Sequence, residues 1–338
     1  MSSDPRSTVL SITDRRPTIT GAEIVQHLVP PRQFEGASVE NYRPDEAFPS
    51  QQEARDAVAA FGAGGAGPAR RGLFRRRPAG PDLRPGLYLD GGFGVGKTHL
   101  LAALWHRTAG RRYFGTFIEY TALVGAVGYQ GAADQLRGAS LVCIDEFELD
   151  DPGDTMMMTR LLGGLAEDGT RIAATSNTPP AALGEGRFAA ADFLREIQGL
   201  SDRFTTLRID GDDYRRRETT ASAVVLDDLD AAVAGERGAV ALDDFAALVE
   251  HLGTVHPSRY VKLLDGLDVV ALRDVAPLAD QTSALRLVAF VDRLYDAQVK
   301  VLATGTPLDQ VFGDDMLAGG YRKKYLRAVS RLVALTSL

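Results

Sequence analysis

A glycine-rich loop at residues 91–98 constrains the fold of this chain more than any other part of its sequence. The loop reads Gly-Gly-Phe-Gly-Val-Gly-Lys-Thr and fits the pattern G-x-x-x-x-G-K-[ST]. It follows an apolar run at residues 86–89 and precedes residues 99–105, where apolar side chains recur at helical spacing. A strand, a loop and a helix in this order form the setting of a phosphate-binding P-loop. The sequence therefore predicts an α/β domain built around a phosphate site.

The residue types in this loop match the chemistry of a nucleoside triphosphate. Glycines allow successive backbone N–H groups to converge on an anion, and the following helix directs its positive dipole end toward it. Lys97 is predicted to reach the β- and γ-phosphates, and Thr98 to offer its hydroxyl to Mg²⁺. We expect ATP and Mg²⁺ as cofactors. The predicted nucleotide-binding residues are Gly91, Gly92, Phe93, Gly94, Val95, Gly96, Lys97, Thr98 and His99.

The composition narrows the class of protein further. The chain has 338 residues, 45% of them hydrophobic, which suffices for one large domain with appendages. Its net charge of -7 argues against a surface built mainly for nucleic acid. The single cysteine, Cys143, excludes a disulfide framework and a cysteine zinc cluster. The sequence has no signal-peptide pattern and no run of about 18 apolar residues, so we expect a cytoplasmic protein without a transmembrane segment.

The chain divides into four predicted segments. Residues 1–61 form an N-terminal arm that ends in a helix, for which Ser50 is the expected N-cap. Residues 62–82 are rich in Gly, Pro and Arg, a composition typical of a flexible insertion. Residues 83–215 form the predicted ATPase core. Residues 216–338 are expected either to form a lid or to extend the core.

Short apolar runs alternate with helical patterns through the core, which predicts a parallel sheet covered by helices. The predicted core strands are residues 86–89, 116–120, 140–144, 171–175 and 205–209, with helices between them at 98–109, 121–127, 155–168 and 189–200. The helix predicted at 51–61 precedes the core. In the C-terminal region the patterns predict helices at 242–252, 283–297 and 321–335, and strands at 268–272 and 299–303. The predicted fold class is α/β, of the P-loop NTPase type, with a mixed C-terminal region.

Two acids follow the apolar run at residues 141–144. Acids at the end of a strand are common, but Asp145 and Glu146 come 47 residues after Thr98, downstream of a P-loop. In that setting the pattern indicates a Walker B motif. Asp145 is then the predicted Mg²⁺ ligand together with Thr98. Glu146 is predicted to polarise the attacking water.

Polar residues also end the next predicted strand, and Asn177 is among them. On its own, an Asn before Thr-Pro-Pro is more often a turn residue. After a Walker B motif, however, it occupies the position of the sensor residue in AAA+ ATPases. A strand at the centre of the sheet would bring Asn177 beside Glu146, where its amide could orient the lytic water. We therefore expect an AAA+ type core with Glu146, Lys97 and Asn177 as catalytic residues.

Two arginines are candidates for a further catalytic contact. AAA+ sites usually lie between subunits, and an arginine of the neighbouring subunit stabilises charge on the transferred phosphoryl group. Arg203 lies just before the predicted strand 205–209, and Arg195 lies on the preceding predicted helix. Either side chain could instead form a surface salt bridge, so both candidates stay open. A homo-oligomer with intersubunit active sites is expected.

Several segments of the chain carry a resemblance to a known family. Residues 145–151 read Asp-Glu-Phe-Glu-Leu-Asp-Asp, and residues 174–180 read Ala-Thr-Ser-Asn-Thr-Pro-Pro. Further matching segments are residues 154–162, 169–171, 213–215, 290–296 and 330–332. Together these segments resemble the ZapE-type cell-division ATPases, bacterial relatives of a mitochondrial AFG-like AAA+ ATPase. The resemblance covers roughly residues 85–335.

The resemblance implies ATP hydrolysis coupled to remodelling of a protein partner. In bacterial members of the family this partner is the tubulin-like division protein at the septum. The P-loop and Arg203 also resemble those of helicase loaders and transposition-type ATPases, which act on DNA. Residues 216–338 and the acidic balance favour the cell-division interpretation, since a short loader lacks such a region. A nucleotide-gated scaffold is a further alternative, which Glu146 and Asn177 argue against.

Overall fold

The computed structural model describes residues 9–63, 86–92, 94–147, 152–179, 199, 202–212 and 222–338. The chain divides into two units, which we call the first and second units. The first unit comprises Thr20–Arg217, and the second comprises Met1–Ile19 with Glu218–Leu338. The ATPase segment is therefore inserted, in the order of the chain, between two parts of the second unit.

The strands of the described residues form two separate parallel sheets. They are β1 (Val9–Leu10), β2 (Gly86–Gly91), β3 (Arg112–Thr116), β4 (Leu141–Asp145), β5 (Arg171–Ser176), β6 (Phe204–Ile209), β7 (Val240–Asp244), β8 (Val269–Val275) and β9 (Lys300–Gly305). The first unit contains a sheet of order β3-β4-β5-β2-β6, and the second a sheet of order β1-β7-β8-β9.

Helices connect these strands. In the first unit they are α1 (Gly21–His27), α2 (Pro49–Ala63), α3 (Lys97–Arg107), α4 (Phe117–Leu136) and α5 (Pro152–Glu167). In the second they are α6 (Leu229–Gly235), α7 (Phe245–Thr254), α8 (Tyr260–Leu263), α9 (Gln281–Ala297), α10 (Asp314–Ala318) and α11 (Arg322–Thr336). The predicted α/β class is confirmed. The predicted helix at 189–200 lies, except for residue 199, outside the described residues, as do residues 64–82 of the predicted insertion.

Strand β2 is buried on both faces, as expected for a central strand of a parallel sheet. Leu87 and Leu89 join one apolar cluster with α2 and α3. On the opposite face, Tyr88 packs edge-on against Phe147 and Phe204. The P-loop therefore begins at the end of a rigid strand.

The strand order places three strand ends beside one another. Strand β5 lies between β2 and β4, with Leu89 opposite Thr175 and Ile144 opposite Ala174. All three strands run in the same direction, so their carboxyl ends meet at one edge of the sheet. This arrangement brings the P-loop, the Walker B acids and the polar end of β5 together.

The predicted strand at 116–120 is wrong. Strand β3 ends at Thr116, and helix α4 begins at the next residue. Thr116 accepts a hydrogen bond from the Glu119 N–H, and the Glu119 side chain accepts one from the Thr116 N–H. This capping box starts the helix, although the residues that follow are apolar and β-prone. The helix then extends to Leu136, past the predicted end at 127, with non-helical backbone at Gly128.

Two further element boundaries differ from the prediction. The segment predicted as one helix at 242–252 is the end of strand β7 followed by α7, which Asp244 caps by accepting a hydrogen bond from the Ala247 N–H. Ser50 is not an N-cap, because helix α2 begins at Pro49. Its hydroxyl instead accepts a hydrogen bond from the Asp210 N–H at 2.9 Å.

The second unit has its own sheet and its own apolar core. Helices α7, α9 and α11 contribute Leu248, Phe290 and Leu332 to a buried cluster with side chains of β7, β8 and β9. Residues 222–338 therefore do not continue the first sheet. Strand β1 completes the second sheet, with Val9 opposite Val240. The predicted strands at 268–272 and 299–303 and helices at 283–297 and 321–335 are confirmed, with ends shifted by at most three residues.

Candidate active site

The glycines of the P-loop adopt backbone conformations that other residues rarely take. Gly91, Gly94 and Gly96 have φ angles of 153°, 71° and 85°. A Cβ atom at Gly91 would lie 2.2 Å from the Ile209 carbonyl oxygen, and one at Gly96 would lie 2.5 Å from the Tyr42 ring. Helix α3 then begins at Lys97, with Gly96 as its left-handed N-cap. The loop can curve in this way because glycine lacks a Cβ.

Lys97 lies at the centre of the loop and is 8% exposed. Its Nζ donates a hydrogen bond to the Gly91 carbonyl oxygen at 2.8 Å and a second, short one to the Gly92 carbonyl oxygen. It also donates to the Asn177 Oδ1 at 2.9 Å. The structure thus brings together the P-loop lysine and the side chain predicted as the sensor.

Thr98 and Asp145 also lie in contact, as predicted for a shared metal site. The Thr98 hydroxyl is 3.2 Å from Asp145 Oδ1 and 3.1 Å from Oδ2. The Thr175 hydroxyl donates a short hydrogen bond to Asp145 Oδ1. Burial, and after it the nearby Glu146 carboxylate, raise the pKa of the Asp145 carboxyl from 3.8 to about 6. Thr175, Thr98 and Lys97 oppose this rise.

Glu146 follows Asp145 with a φ angle of 54°, a left-handed conformation that is uncommon for residues other than glycine. Its backbone N–H donates to the Thr175 hydroxyl oxygen at 3.1 Å. The next residue, Phe147, is buried, and its N–H donates to the Thr175 carbonyl oxygen at 2.7 Å. The chain therefore turns sharply at the predicted water-polarising residue.

No sequence motif indicated Tyr42, which contacts the P-loop from 53 positions earlier in the chain. Its buried hydroxyl donates to the Val95 carbonyl oxygen at 2.8 Å, and burial raises the pKa of this phenol to about 12. The Tyr42 ring lies 5.7 Å from the His99 ring, measured between centroids. His99 Nε2 in turn lies 3.0 Å from the Ser38 carbonyl oxygen. Residues 38–42 thus contact the P-loop at Val95 and His99.

Gln51 is a second residue near the site that no sequence motif indicated. It is buried at the start of α2, and its side chain accepts a hydrogen bond from the Asp45 N–H at 2.9 Å. The same side chain donates to the Asp210 carbonyl oxygen at 2.9 Å. It therefore joins the N-terminal segment to the end of strand β6.

Arg203 does not join this site within its own chain. Phe204 pairs with Gly86 at the start of β2, so Arg203 lies at the amino-terminal ends of the strands. The P-loop lies at their carboxyl ends. Its guanidinium forms an ion pair with Glu167 at 2.9 Å. Arg195 and Phe93 lie outside the described residues.

Comparison with known proteins identifies the family. A family model described as AFG1-like ATPase matches residues 20–240 and 230–338. The chain belongs to the AFG1-like ATPase family. The resemblance drawn from the sequence segments is therefore confirmed, and the chain is an ATPase whose first unit contains the P-loop.

Curated relatives of this AFG1-like ATPase include a bacterial and an animal protein. The Cell division protein ZapE of Escherichia coli (strain K12) is 28% identical over 299 residues, which cover 75% of this chain and 78% of that protein. Lactation elevated protein 1 homolog B of Danio rerio is 23% identical over 300 residues, covering 71% of this chain and 59% of that protein. The family model and these matches extend into the second unit.

Two solved structures align with about half of the chain at low identity. A crystal structure of DnaI aligns with 54% of this chain and 93% of its own, at 18% identity and a TM-score of 0.42. AMPPCP-bound DnaA from Aquifex aeolicus aligns with 53% of this chain and 51% of its own, at 16% identity and a TM-score of 0.40.

Among the described residues, none of the helices has the length and apolar character that a membrane span requires.

Proposed function

We propose that this AFG1-like ATPase is a cytoplasmic Mg²⁺-dependent enzyme that couples ATP hydrolysis to remodelling of a protein partner in bacterial cell division. The observation that carries the proposal is the convergence of Lys97, Asn177, Thr98 and Asp145 at one edge of the sheet. A P-loop lysine, a metal-ligating pair and a sensor amide in one place are the parts that phosphoryl transfer to water requires.

The residues present fit a magnesium ion. The Thr98 hydroxyl and the Asp145 carboxylate are oxygen ligands of the kind that Mg²⁺ prefers, and their oxygens lie 3.1 Å apart at the closest. Bound there, Mg²⁺ supplies positive charge that offsets the charge of the phosphates. The buried Asp145 carboxylate, whose pKa burial raises, gains a counter-charge in the same event.

In the proposed reaction each protein group has a role. The backbone N–H groups of the loop and the Lys97 ammonium bind the phosphates and hold the γ-phosphate in place. The Glu146 carboxylate accepts a hydrogen bond from the attacking water and polarises it. The Asn177 amide, close to Lys97, orients the water or the γ-phosphate oxygen. Positioning and charge account for the expected rate enhancement, without a covalent intermediate.

The proposed partner is the tubulin-like division protein or another component of the septum. It is supported by the likeness to the Escherichia coli ZapE protein, which is named a cell division protein and matches over 78% of its length. The match to the family model continues through residues 230–338, a region that a short helicase loader lacks. A DNA-associated role is the alternative.

A capture experiment tests this proposal. Glu146→Gln should bind ATP and hydrolyse it at least about 100-fold more slowly than the wild type. Loaded with ATP and used as bait in lysate of its own organism, this variant should retain the tubulin-like division protein. Lys97→Ala, which should not bind ATP, is the matched control and should retain none. Recovery of the replicative helicase or DNA-bound replication proteins instead would overturn the cell-division role.

A further inference from the structure

The pairing of the Walker B strand with β5 ends at a defined residue. Strand β4 pairs with β5 from Leu141 opposite Arg171 to Ile144 opposite Ala174. Beyond that pair β5 continues beside β2, with Thr175 opposite Leu89. Residues 145–147 therefore lie beyond the last residue pair between β4 and β5. The two acids of the site are located in this segment.

Thr175 replaces the missing ladder contacts with three hydrogen bonds. Its carbonyl oxygen accepts from the Phe147 N–H at 2.7 Å. Its hydroxyl oxygen accepts from the Glu146 N–H at 3.1 Å, and the hydroxyl proton is donated to Asp145 Oδ1. A threonine hydroxyl has one proton to give, so this direction of donation is fixed by the carboxylate, which can only accept. One side chain thus contacts both acids of the Walker B motif.

The Glu146 backbone needs such support. Its φ angle of 54° places it in the left-handed region, where a side chain with a Cβ is strained. On the next residue, the buried Phe147 ring packs edge-on against Phe117 at 5.4 Å and Tyr88 at 6.4 Å between centroids. The bend is therefore held at Phe147 by packing and at Glu146 by the Thr175 hydroxyl.

We propose that Thr175 is a positioning residue for ATP hydrolysis, whose hydroxyl sets the direction of the Glu146 side chain and fixes one oxygen of the Asp145 carboxylate. The inference rests on the hydrolytic function proposed above and deepens it. Thr175 acts through its two neighbours, since its hydroxyl donates to Asp145 and accepts from Glu146, and the residue is 1% exposed.

Substitutions separate the hydroxyl from the shape of the side chain. Thr175→Val keeps the volume, removes the acceptor for the Glu146 N–H and places a methyl group against Asp145. Thr175→Ser keeps the hydroxyl and removes the methyl group. Thr170→Val is the matched control, because Thr170 is also 1% exposed and adjoins the same strand, and its hydroxyl has no hydrogen-bond partner among the described residues.

The expected result is a loss of turnover without a matching loss of ATP affinity. For Thr175→Val, kcat should fall by about 100-fold, while the Kd for ATP changes by less than about threefold. Thr175→Ser should retain kcat within about threefold of the wild type. Thr170→Val should hydrolyse ATP at the wild-type rate. If Thr175→Val does not fold, Thr175→Ala makes the same comparison with Thr175→Ser.

Amide hydrogen exchange gives a readout that does not depend on activity. The Glu146 N–H should be protected in the wild type and in Thr175→Ser, and should exchange at least about tenfold faster in Thr175→Val. Equal loss of kcat in Thr175→Ser and Thr175→Val would assign Thr175 to packing and overturn the inference. Wild-type turnover in Thr175→Val would also overturn the inference. In that case an inactive Glu146→Gln would still support the proposed ATPase function. A wild-type protein that does not hydrolyse ATP overturns both.

Discussion

At the scale of single residues, two features of the site lower the stability of the fold, and the proposed hydrolysis of ATP explains their presence. Asp145 is a buried carboxylate, and its neighbour Glu146 has left-handed backbone. A non-glycine residue in that conformation costs of order 1–3 kcal/mol. Neither feature improves the packing of the fold. Both are understandable where a metal-ligating acid and a water-polarising acid must follow one another at a strand end.

We predict that Asp145→Asn stabilises the fold at alkaline pH in the absence of divalent ions. The pKa of Asp145 is raised from 3.8 to about 6 in the folded state, so proton binding stabilises the fold at low pH and this contribution is lost as the pH rises through about 6. The difference between the two pKa values corresponds to about 3 kcal/mol above pH 6. Asn removes this cost and keeps an oxygen acceptor for Thr98 and Thr175.

Urea unfolding in EDTA measures the effect. At pH 8 the free energy of unfolding of Asp145→Asn should exceed that of the wild type by about 1–3 kcal/mol, and the gain should shrink toward pH 5. Asp134→Asn, on an exposed acid paired with Arg137, is the control and should change stability by less than about 0.5 kcal/mol. A gain of the same size at both pH values would contradict the assignment of the raised pKa to Asp145.

The sequence predicted those site residues that belong to contiguous motifs. Lys97, Thr98, Asp145 and Asn177 come together in the structure as their motifs indicated. Tyr42 could not be predicted in this way, because a lone tyrosine in a polar segment has no pattern that refers to a loop 53 positions away. Such contacts arise from tertiary packing, which residue spacing does not encode.

At the scale of elements, the strand ends were harder to predict than the strands. The apolar residues after Thr116 suit a strand by composition, yet they form the first turn of α4. The Thr116 and Glu119 pair was a readable capping-box pattern, three residues apart. The split of the segment at 242–252 has the same origin, since Asp244 is an N-cap residue in the middle of an apolar run.

Element packing around the P-loop yields the second prediction, on Tyr42→Phe. The substitution keeps the ring against Gly96 and His99 and removes the hydroxyl that donates to the Val95 carbonyl oxygen. A buried carbonyl left without its donor costs about 1–3 kcal/mol. Because this carbonyl belongs to the loop itself, we expect ATP affinity to fall by about three- to tenfold.

Isothermal titration calorimetry with ATP checks this expectation. Tyr325→Phe is a suitable control, because the Tyr325 hydroxyl is buried in the second unit and has no hydrogen-bond partner among the described residues. It should leave the Kd for ATP unchanged. An unchanged Kd in Tyr42→Phe would mean that the loop keeps its conformation without this hydrogen bond.

At the scale of the whole molecule, the second unit consists of two parts of the chain, and the first unit lies between them in sequence. Strand β1 has two residues and pairs with β7, about 230 positions later in the chain. A strand of two residues has no detectable periodicity, and its partner is remote in sequence. The sequence therefore indicated an arm, where the structure has a strand that joins the second sheet.

The third prediction concerns the side chain that holds this strand in place. Asp243 is buried and accepts hydrogen bonds from the Ser11 hydroxyl at 2.6 Å, the Ile12 N–H at 2.8 Å and the Thr13 hydroxyl at 2.9 Å. Asp243→Ala leaves these donors without their acceptor. We expect the free energy of unfolding to fall by at least about 3 kcal/mol, because hydrogen bonds to a charged group contribute about 1.5–3 kcal/mol each.

Hydrogen exchange locates the effect as well as measuring it. In Asp243→Ala, the amides of residues 9–13 and 240–244 should lose protection, since the edge strand detaches from its neighbour. Asp227→Ala, on an exposed acid of the same unit, should leave both segments as they are. Retained protection of residues 9–13 in Asp243→Ala would show that β1 does not depend on this carboxylate.

The last prediction concerns how copies of the chain combine. Arg203 lies at the edge of the sheet opposite the P-loop of its own chain. If it acts in catalysis, it acts on the nucleotide of a neighbouring subunit, where an arginine finger raises kcat by about 10³–10⁵-fold. Arg203→Ala should then bind ATP normally and hydrolyse it very slowly, whereas Lys97→Ala should neither bind ATP nor hydrolyse it.

A mixture of the two variants tests this prediction. When their subunits exchange, activity should return, because an intact P-loop from one chain then meets an intact arginine from the other. In an equimolar mixture about one quarter of the interfaces have this composition, which sets the expected turnover relative to the wild type. A mixture as inactive as its parts, or an Arg203→Ala protein with normal turnover, would assign Arg203 to its ion pair with Glu167 and move the search for the finger to Arg195.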